Sequence, residues 1–389
     1  MPLLVLLGLG QIISWGTLYY GLAILAQPIL RETQWPEWVV YGAFSLGLML
    51  WGLGAPTVGS WIDAGGGRYA MSIGSLLAAL AFLTLAMADT PLIYTFGWLL
   101  AGSSMALTLY DAAFAVIHQI NPRHYRRHIS LLTFMGGFAS TVFWPLGFYL
   151  QQTLGWRETL WFFALLHLGM VLLHWLVIPA SSTILQNMNR AVESRAIVSD
   201  QNRIRVLPGQ VWFMWAFSLA TMVFSTVSVF IVDALSLQGF STEQAVWLAA
   251  LIGPMQVAGR LLEWLFGYYF TAYRVGLVCM LALVVSMLVL NIAAQHFWLG
   301  LTFVLLYGVA NGIMTLVRGA LPLELYGPVQ VGGLLGRLAK PVLLTKALTP
   351  GLLSIGLSNG VSLKLVLWLL LMVTLLALVS YWQLNRSVN

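Results

Sequence analysis

Gly59-Ser60-Trp61-Ile62-Asp63-Ala64-Gly65-Gly66-Gly67-Arg68 separates two long apolar stretches in a 389-residue chain of which only 8% is charged. Three consecutive glycines permit a tight turn, with Asp63 just before them and Arg68 just after. The flanking runs are each long enough to cross a bilayer, so the chain leaves the membrane here and turns back into it. An acid, a glycine turn and a base at such a point suit a gated inner loop.

The chain is 60% hydrophobic, and a soluble protein of this length needs far more charged surface. An integral membrane protein is the class that remains. A spanning helix takes about 20 apolar residues. Twelve such runs can be placed, at 3–27, 38–62, 69–88, 92–118, 129–152, 158–178, 211–235, 243–267, 275–294, 297–317, 335–357 and 363–384. Barrel strands would show as short alternating segments. These runs are continuous and rich in Leu, Ala, Gly and Trp, so the expected fold is all-α. The first run has no basic segment before it and no small-residue cleavage pattern after it, so it reads as a retained helix, with a start upstream of Met1 left open. Cys279 is the only cysteine, which excludes an internal disulfide, a cysteine zinc site and an iron–sulfur cluster. No cofactor or metal is expected.

A net charge of +6 could point to nucleic acid, but its placement gives a better reason. With the N-terminus inside, thirteen Lys and Arg fall in inner segments, from Arg68 through Arg123, Arg126 and Arg127 to Arg386. Only Arg31, Arg157 and Lys364 fall outside, and Arg260 and Lys346 lie within spans. The positive-inside rule then makes both termini cytoplasmic, in a plasma membrane or bacterial inner membrane. Trp38, Trp156 and Trp298 stand near span ends, as interfacial anchors do.

The pattern breaks once, in a polar stretch with six runs on either side. The expected organisation is an N-terminal six-helix half at 1–178, a cytoplasmic linker at 179–210 and a C-terminal six-helix half at 211–389. Transporters commonly place substrate where such repeats meet. Glycines and prolines within the runs, among them Gly52, Gly54, Pro56, Pro145, Pro254, Gly259 and Gly312, suit close helix packing and bends.

Gly59, Asp63, Gly66 and Arg68 resemble the loop between helices 2 and 3 of the major facilitator superfamily. Ala64 and Gly67 stand where that pattern has basic residues, so Arg68 alone remains of three. The resemblance implies a twelve-helix major facilitator fold and an inner gate in which Asp63 and Arg68 make contacts that break during transport. The bland alternative is a capped turn with an Arg that sets topology. Three further stretches resemble the monocarboxylate-porter-like branch and its bacterial relatives. They are Gly253 to Arg260 in helix 8, Gly155-Trp156-Arg157 after helix 5, and more loosely Ser14-Trp15-Gly16 in helix 1. Drug-antiporter branches fit less well, because Trp98 stands where their helix 4 has Arg.

Charges within spans are expensive and mark sites. Arg260 lies about 17 residues into its run, roughly 26 Å along the axis at 1.5 Å per residue. It either anchors an anionic substrate through its fork of donors or pairs permanently with Glu263, one turn on. Glu263 and Asp111 are the proton-coupling candidates, each with structural pairing as the alternative. Lys346 is a second cation for the site, or a side chain that snorkels. Gln256, Asn311, Gln11, Trp15 and Tyr19 are neutral contacts for substrate, and the last three recur every four residues on one helical face. For the aromatics, packing is the commoner use.

Ser103 and Ser104 with His167 and His174 raise an intramembrane protease or a haem or quinone site. The serine lacks the following glycine of the usual nucleophile pattern, and paired histidines on another helix are missing. The expectation is therefore a non-enzymatic secondary transporter for a small solute, first of all an organic anion of monocarboxylate type. It would work by alternating access, with proton coupling, as a monomer. An exporter of drugs or metabolites is the alternative.

Overall fold

The computed structural model describes residues 2–180, 207–293, 295–327 and 331–388. Most of the expected linker, with Arg190, Glu193, Arg195, Asp200, Arg203 and Arg205, lies outside the described residues.

Every expected run is helical. The first comprises α1 (Pro2–Ser14) and α2 (Gly21–Thr33), joined by a π-helical turn at Trp15–Tyr19. Next come α3 (Glu37–Trp61), a second π-helical turn at Ile62–Gly66, and α4 (Gly67–Ala86). The fourth run divides into α5 (Pro91–Thr108) and α6 (Tyr110–Ile120), because Leu109 between them is extended. The fifth divides into α7 (Tyr125–Gly136) and α8 (Ala139–Thr153), followed by α9 (Trp156–Val177). The remaining six are α10 (Gln210–Leu237), α11 (Thr242–Phe266), α12 (Ala272–Ile292), α13 (Phe297–Tyr326), α14 (Val331–Ser358) and α15 (Leu363–Val388).

Local chemistry accounts for several starts. Thr90 caps α5 with Pro91 at its first position, where a missing N–H does no harm. Ser241 and Gln244 form a capping box on α11. Gly65 adopts a φ of 96° in the turn between α3 and α4, a conformation open mainly to glycine.

Among the described residues, nine stretches are long and apolar enough to cross a membrane, and one of them, Trp38–Ala86, covers both α3 and α4. Helices α11 and α14, which carry Arg260, Glu263 and Lys346, fall outside that set. Together these account for the twelve runs.

The chain forms two compact units. The first comprises Met1–Leu207 with Pro328–Lys340, and the second Pro208–Gly327 with Pro341–Asn389. Helix α14 is thus shared, passing from one to the other at Lys340 and Pro341.

In the first unit α4 packs on α5 and α9, α3 packs on α5, and α1 packs on α7. Helices α3 and α5 approach so closely that a Cβ at Gly102 would collide with the Gly47 backbone. Gln11, Ser75, Ser104, His167 and His174 are buried, whereas Leu165, Leu172 and Leu176 are 65%, 65% and 73% exposed. Polar groups inside and leucines outside suit an apolar solvent.

In the second unit α11 and α12 pack on α13, and α10 packs on α15. The α11–α13 seam also runs through glycine, since a Cβ at Gly312 would collide with the Gln256 carbonyl. Such small residues let membrane helices meet backbone to backbone.

Candidate functional site

The opening turn is anchored by a tertiary contact. Asp63 Oδ1 accepts the Gly332 N–H at 2.8 Å, and Oδ2 accepts the Gly333 N–H at 2.7 Å. Both N–H groups belong to the first turn of α14, where no intrahelical acceptor exists and the helix dipole favours an anion. Gly332 and Gly333 make room for the carboxylate, and a Cβ at Gly59 would collide with the Gly332 carbonyl. Gln119 on α6 donates to the Ile62 carbonyl at 2.8 Å and braces the same turn. Gly66 sits against Trp61, where a Cβ would come within 2.5 Å of the indole nitrogen.

Arg68 takes a separate role. Its Nε donates to the Ile178 carbonyl just after α9, and its guanidinium lies 5.7 Å from the Trp175 ring centre. The two charges of the loop therefore hold different helices, Asp63 the start of α14 and Arg68 the end of α9. Sequence reasoning missed Gly332 and Gly333. Their only local signal is a pair of glycines at a helix start.

Gln11 and Trp15 both face the break between α5 and α6. The Gln11 amide, fully buried, donates to the Thr108 carbonyl at 2.7 Å. The Trp15 ring lies 5.1 Å from Tyr110, 5.3 Å from Tyr19 and 5.8 Å from Trp51. Asp111 follows in the first turn of α6, which the extended Leu109 turns into a helix N-terminus that favours a carboxylate.

In the second unit Arg260 is 8% exposed, and its Nε donates to the Gly312 carbonyl at 3.4 Å. Among the described residues no carboxylate oxygen lies within 4.0 Å of its guanidinium. Glu263 is also buried, but its carboxylate lies against Gly267, where a Cβ would collide with it. The seam thus joins Arg260, Gln256 and Gly312, with Asn311 half-buried beside them. Lys346, half-buried on α14, stands against α10, where Ser225 Oγ donates to its carbonyl at 3.4 Å.

A further carboxylate escaped the sequence reading because α13 runs past its expected end. Glu324 accepts the Ala272 N–H at 2.6 Å and the Tyr273 N–H at 3.1 Å, capping α12 as Asp63 caps α14. The histidines considered for a cofactor bind hydroxyls instead: His167 contacts Thr17 and His174 contacts Ser75.

The family model of the Major Facilitator Superfamily matches residues 4–336. The chain belongs to the major facilitator superfamily. Solved structures of this superfamily share the fold across 98% of the chain. The proton:xylose symporter XylE bound to 6-bromo-6-deoxy-D-glucose is similar at TM-score 0.76 and 12% identity, with 95% of its chain covered. FucP in the outward conformation is similar at TM-score 0.70 and 14% identity, with 98% covered. The human organic anion transporter MFSD10 (TETRAN) is similar at TM-score 0.71 and 16% identity, with 99% covered. A search of curated proteins finds no match to the sequence. This major facilitator protein is therefore a multi-pass membrane protein of a family that carries small solutes by secondary transport.

Proposed function

We propose that this major facilitator protein transports a small organic anion, of monocarboxylate type, by alternating access with proton coupling. One observation carries the reading: Arg260 is buried with a single 3.4 Å hydrogen bond and no carboxylate partner among the described residues. A buried guanidinium stays charged and needs anionic or hydrogen-bonding partners. A substrate carboxylate supplies two acceptors in the geometry of the guanidinium fork. Gln256 and Asn311 flank it as neutral contacts, and Lys346 adds a second cation within the same unit. Trp15, Tyr19 and Gln11 serve as the first unit's contacts.

Gly59, Asp63, Gly66 and Arg68 form the inner gate in this reading, with Gly332 and Gly333 as the counterpart of Asp63 and the end of α9 as that of Arg68. Asp111 and Glu263 are the carboxylates assigned to proton coupling. Both termini face the cytoplasm.

The test uses proteoliposomes and labelled lactate. Arg260→Lys keeps the charge but loses the fork, and Arg260→Ala loses both. Lactate KM is expected to rise about tenfold or more in the first and uptake to vanish in the second. Unchanged lactate affinity in a folded Arg260→Ala protein overturns the anchor.

A further inference from the structure

Helix 1 is interrupted by a π-helical turn at Trp15–Tyr19, where the Tyr20 N–H donates to the Trp15 carbonyl five residues back at 3.0 Å. Such wide turns are rare and concentrate at functional sites. One side of this turn carries Trp15 and Tyr19 into the aromatic cluster with Trp51, Tyr110 and Phe44. The other side carries Gly16, packed beneath the Phe143 ring, and Thr17, which is 1% exposed.

Thr17 Oγ1 donates to the Ile13 carbonyl at 2.8 Å and lies 2.8 Å from His167 Nε2. A hydroxyl has one proton, and a carbonyl has none to give. The Thr17 proton is therefore spent on Ile13, and His167 must donate its Nε2–H to the Thr17 oxygen. His167 Nδ1 is buried and meets no partner among the described residues, so a proton there would be stranded. The geometry thus selects the neutral Nε2–H tautomer of a fully buried ring, which packs 5.6 Å from Phe82.

Behind the turn is a cavity of about 10 Å³, bordered by Thr17, Gly21, Phe82, Tyr94 and Trp98. That is room for about one water, and the His167–Thr17 bond is a polar tie on this side of the turn. A π-helical turn that reverts to α-helical form shifts the register by one residue, which rotates the helix on one side by about 100° relative to the other.

We propose that His167 is a positioning residue for transport: through Thr17 it holds the Trp15–Tyr19 turn in its wide register and so sets the aromatic face of helix 1. The role of that face in binding rests on the transport reading above; the hold on the turn does not.

The test uses the full chain in detergent, with Thr17→Val, His167→Phe, their double variant and His167→Gln. Phe keeps the ring and its packing but has no N–H, whereas Gln keeps a donor. Hydrogen exchange at residues 18–22 is expected to quicken about tenfold in either single variant. The double variant should exchange no faster than the singles, and Gln should restore most of the protection. Unchanged exchange in folded Thr17→Val, or additive effects in the double variant, overturns the proposal. Thr17→Val is nearly isosteric, so it carries the test if His167→Phe does not fold.

Counterflow of lactate in proteoliposomes then reads the consequence. KM is expected to rise severalfold in Thr17→Val with maximal rate little changed. Faster exchange with an unaltered lactate KM refutes the link to binding. If the wild type moves no lactate, the substrate reading fails, and the exchange result still decides whether His167 holds the turn.

Discussion

Asp63→Asn should release the start of α14. The wild-type carboxylate accepts two backbone N–H groups, at 2.8 and 2.7 Å, from the first turn of a helix. Asparagine keeps one oxygen and turns an NH2 group toward the second N–H, where two donors face one another. Losing one charge-assisted hydrogen bond removes about 1.5–3 kcal/mol, and losing the charge at the helix N-terminus removes about 0.3–1 kcal/mol more. A total of about 2–4 kcal/mol corresponds to a shift of roughly 20- to 800-fold in the equilibrium that holds α14 on Asp63.

Ala115 on α6 reports this directly. It is 1% exposed, and its Cβ lies 3.0 Å from where a Cβ on Gly332 would stand. A thiol placed there by Ala115→Cys, in a Cys279→Ala background that leaves no other cysteine, is reached only when α14 lifts. Its labelling by a water-soluble maleimide should accelerate at least tenfold on adding Asp63→Asn, because the rate follows the open population. A change of less than twofold in folded protein would show that the two hydrogen bonds do not hold the start of α14 in place.

Glu324→Ala leaves the first N–H groups of α12 without their carboxylate, so thermal stability should fall by about 1–2 kcal/mol, read as a lower unfolding temperature in detergent. Glu324→Gln should recover part of that loss. Gly312→Val forces side-chain carbon into the Gln256 carbonyl, so the α11–α13 seam should open and the yield of monodisperse protein collapse; normal yield and activity would contradict the packing. Glu32→Gln weakens an exposed cluster in which Arg157 bonds Glu32 and Asp89, and a stability change under about 1 kcal/mol is expected for such a surface pair.

The helices were legible because hydropathy alone marks segments that must lie in lipid. Where they break was not. Nothing in Trp15–Tyr19 or at Leu109 carries a proline or glycine-pair signature strong enough to end a helix, and the register there is set by tertiary contacts such as Thr17 with His167. The Gly59–Arg68 turn could be read from its glycines, yet the partner of Asp63 lies about 270 residues away and no local pattern names it. Arg68 reads as part of the same gate, but the sequence does not name its contact, which is with the end of α9.

Arg260 and Glu263 looked like a pair because residues three apart share a helix face. In the structure the Glu263 carboxylate turns along the helix to Gly267, while the Arg260 Nε reaches across to α13. That divergence leaves the guanidinium without a carboxylate among the described residues, and it could only come from the fold. Glu324 was lost for the opposite reason: a polar end to a long helix reads as loop when hydropathy sets the boundary.

Transport of lactate against its neutral isostere lactamide decides whether Arg260 anchors an anion. Both are measured by counterflow in proteoliposomes containing the wild-type chain or Arg260→Lys. If Arg260 anchors the substrate carboxylate, lactate moves and lactamide does not, and Arg260→Lys narrows this preference. Equal movement of the two compounds, or an undiminished preference for lactate in Arg260→Lys, would contradict it.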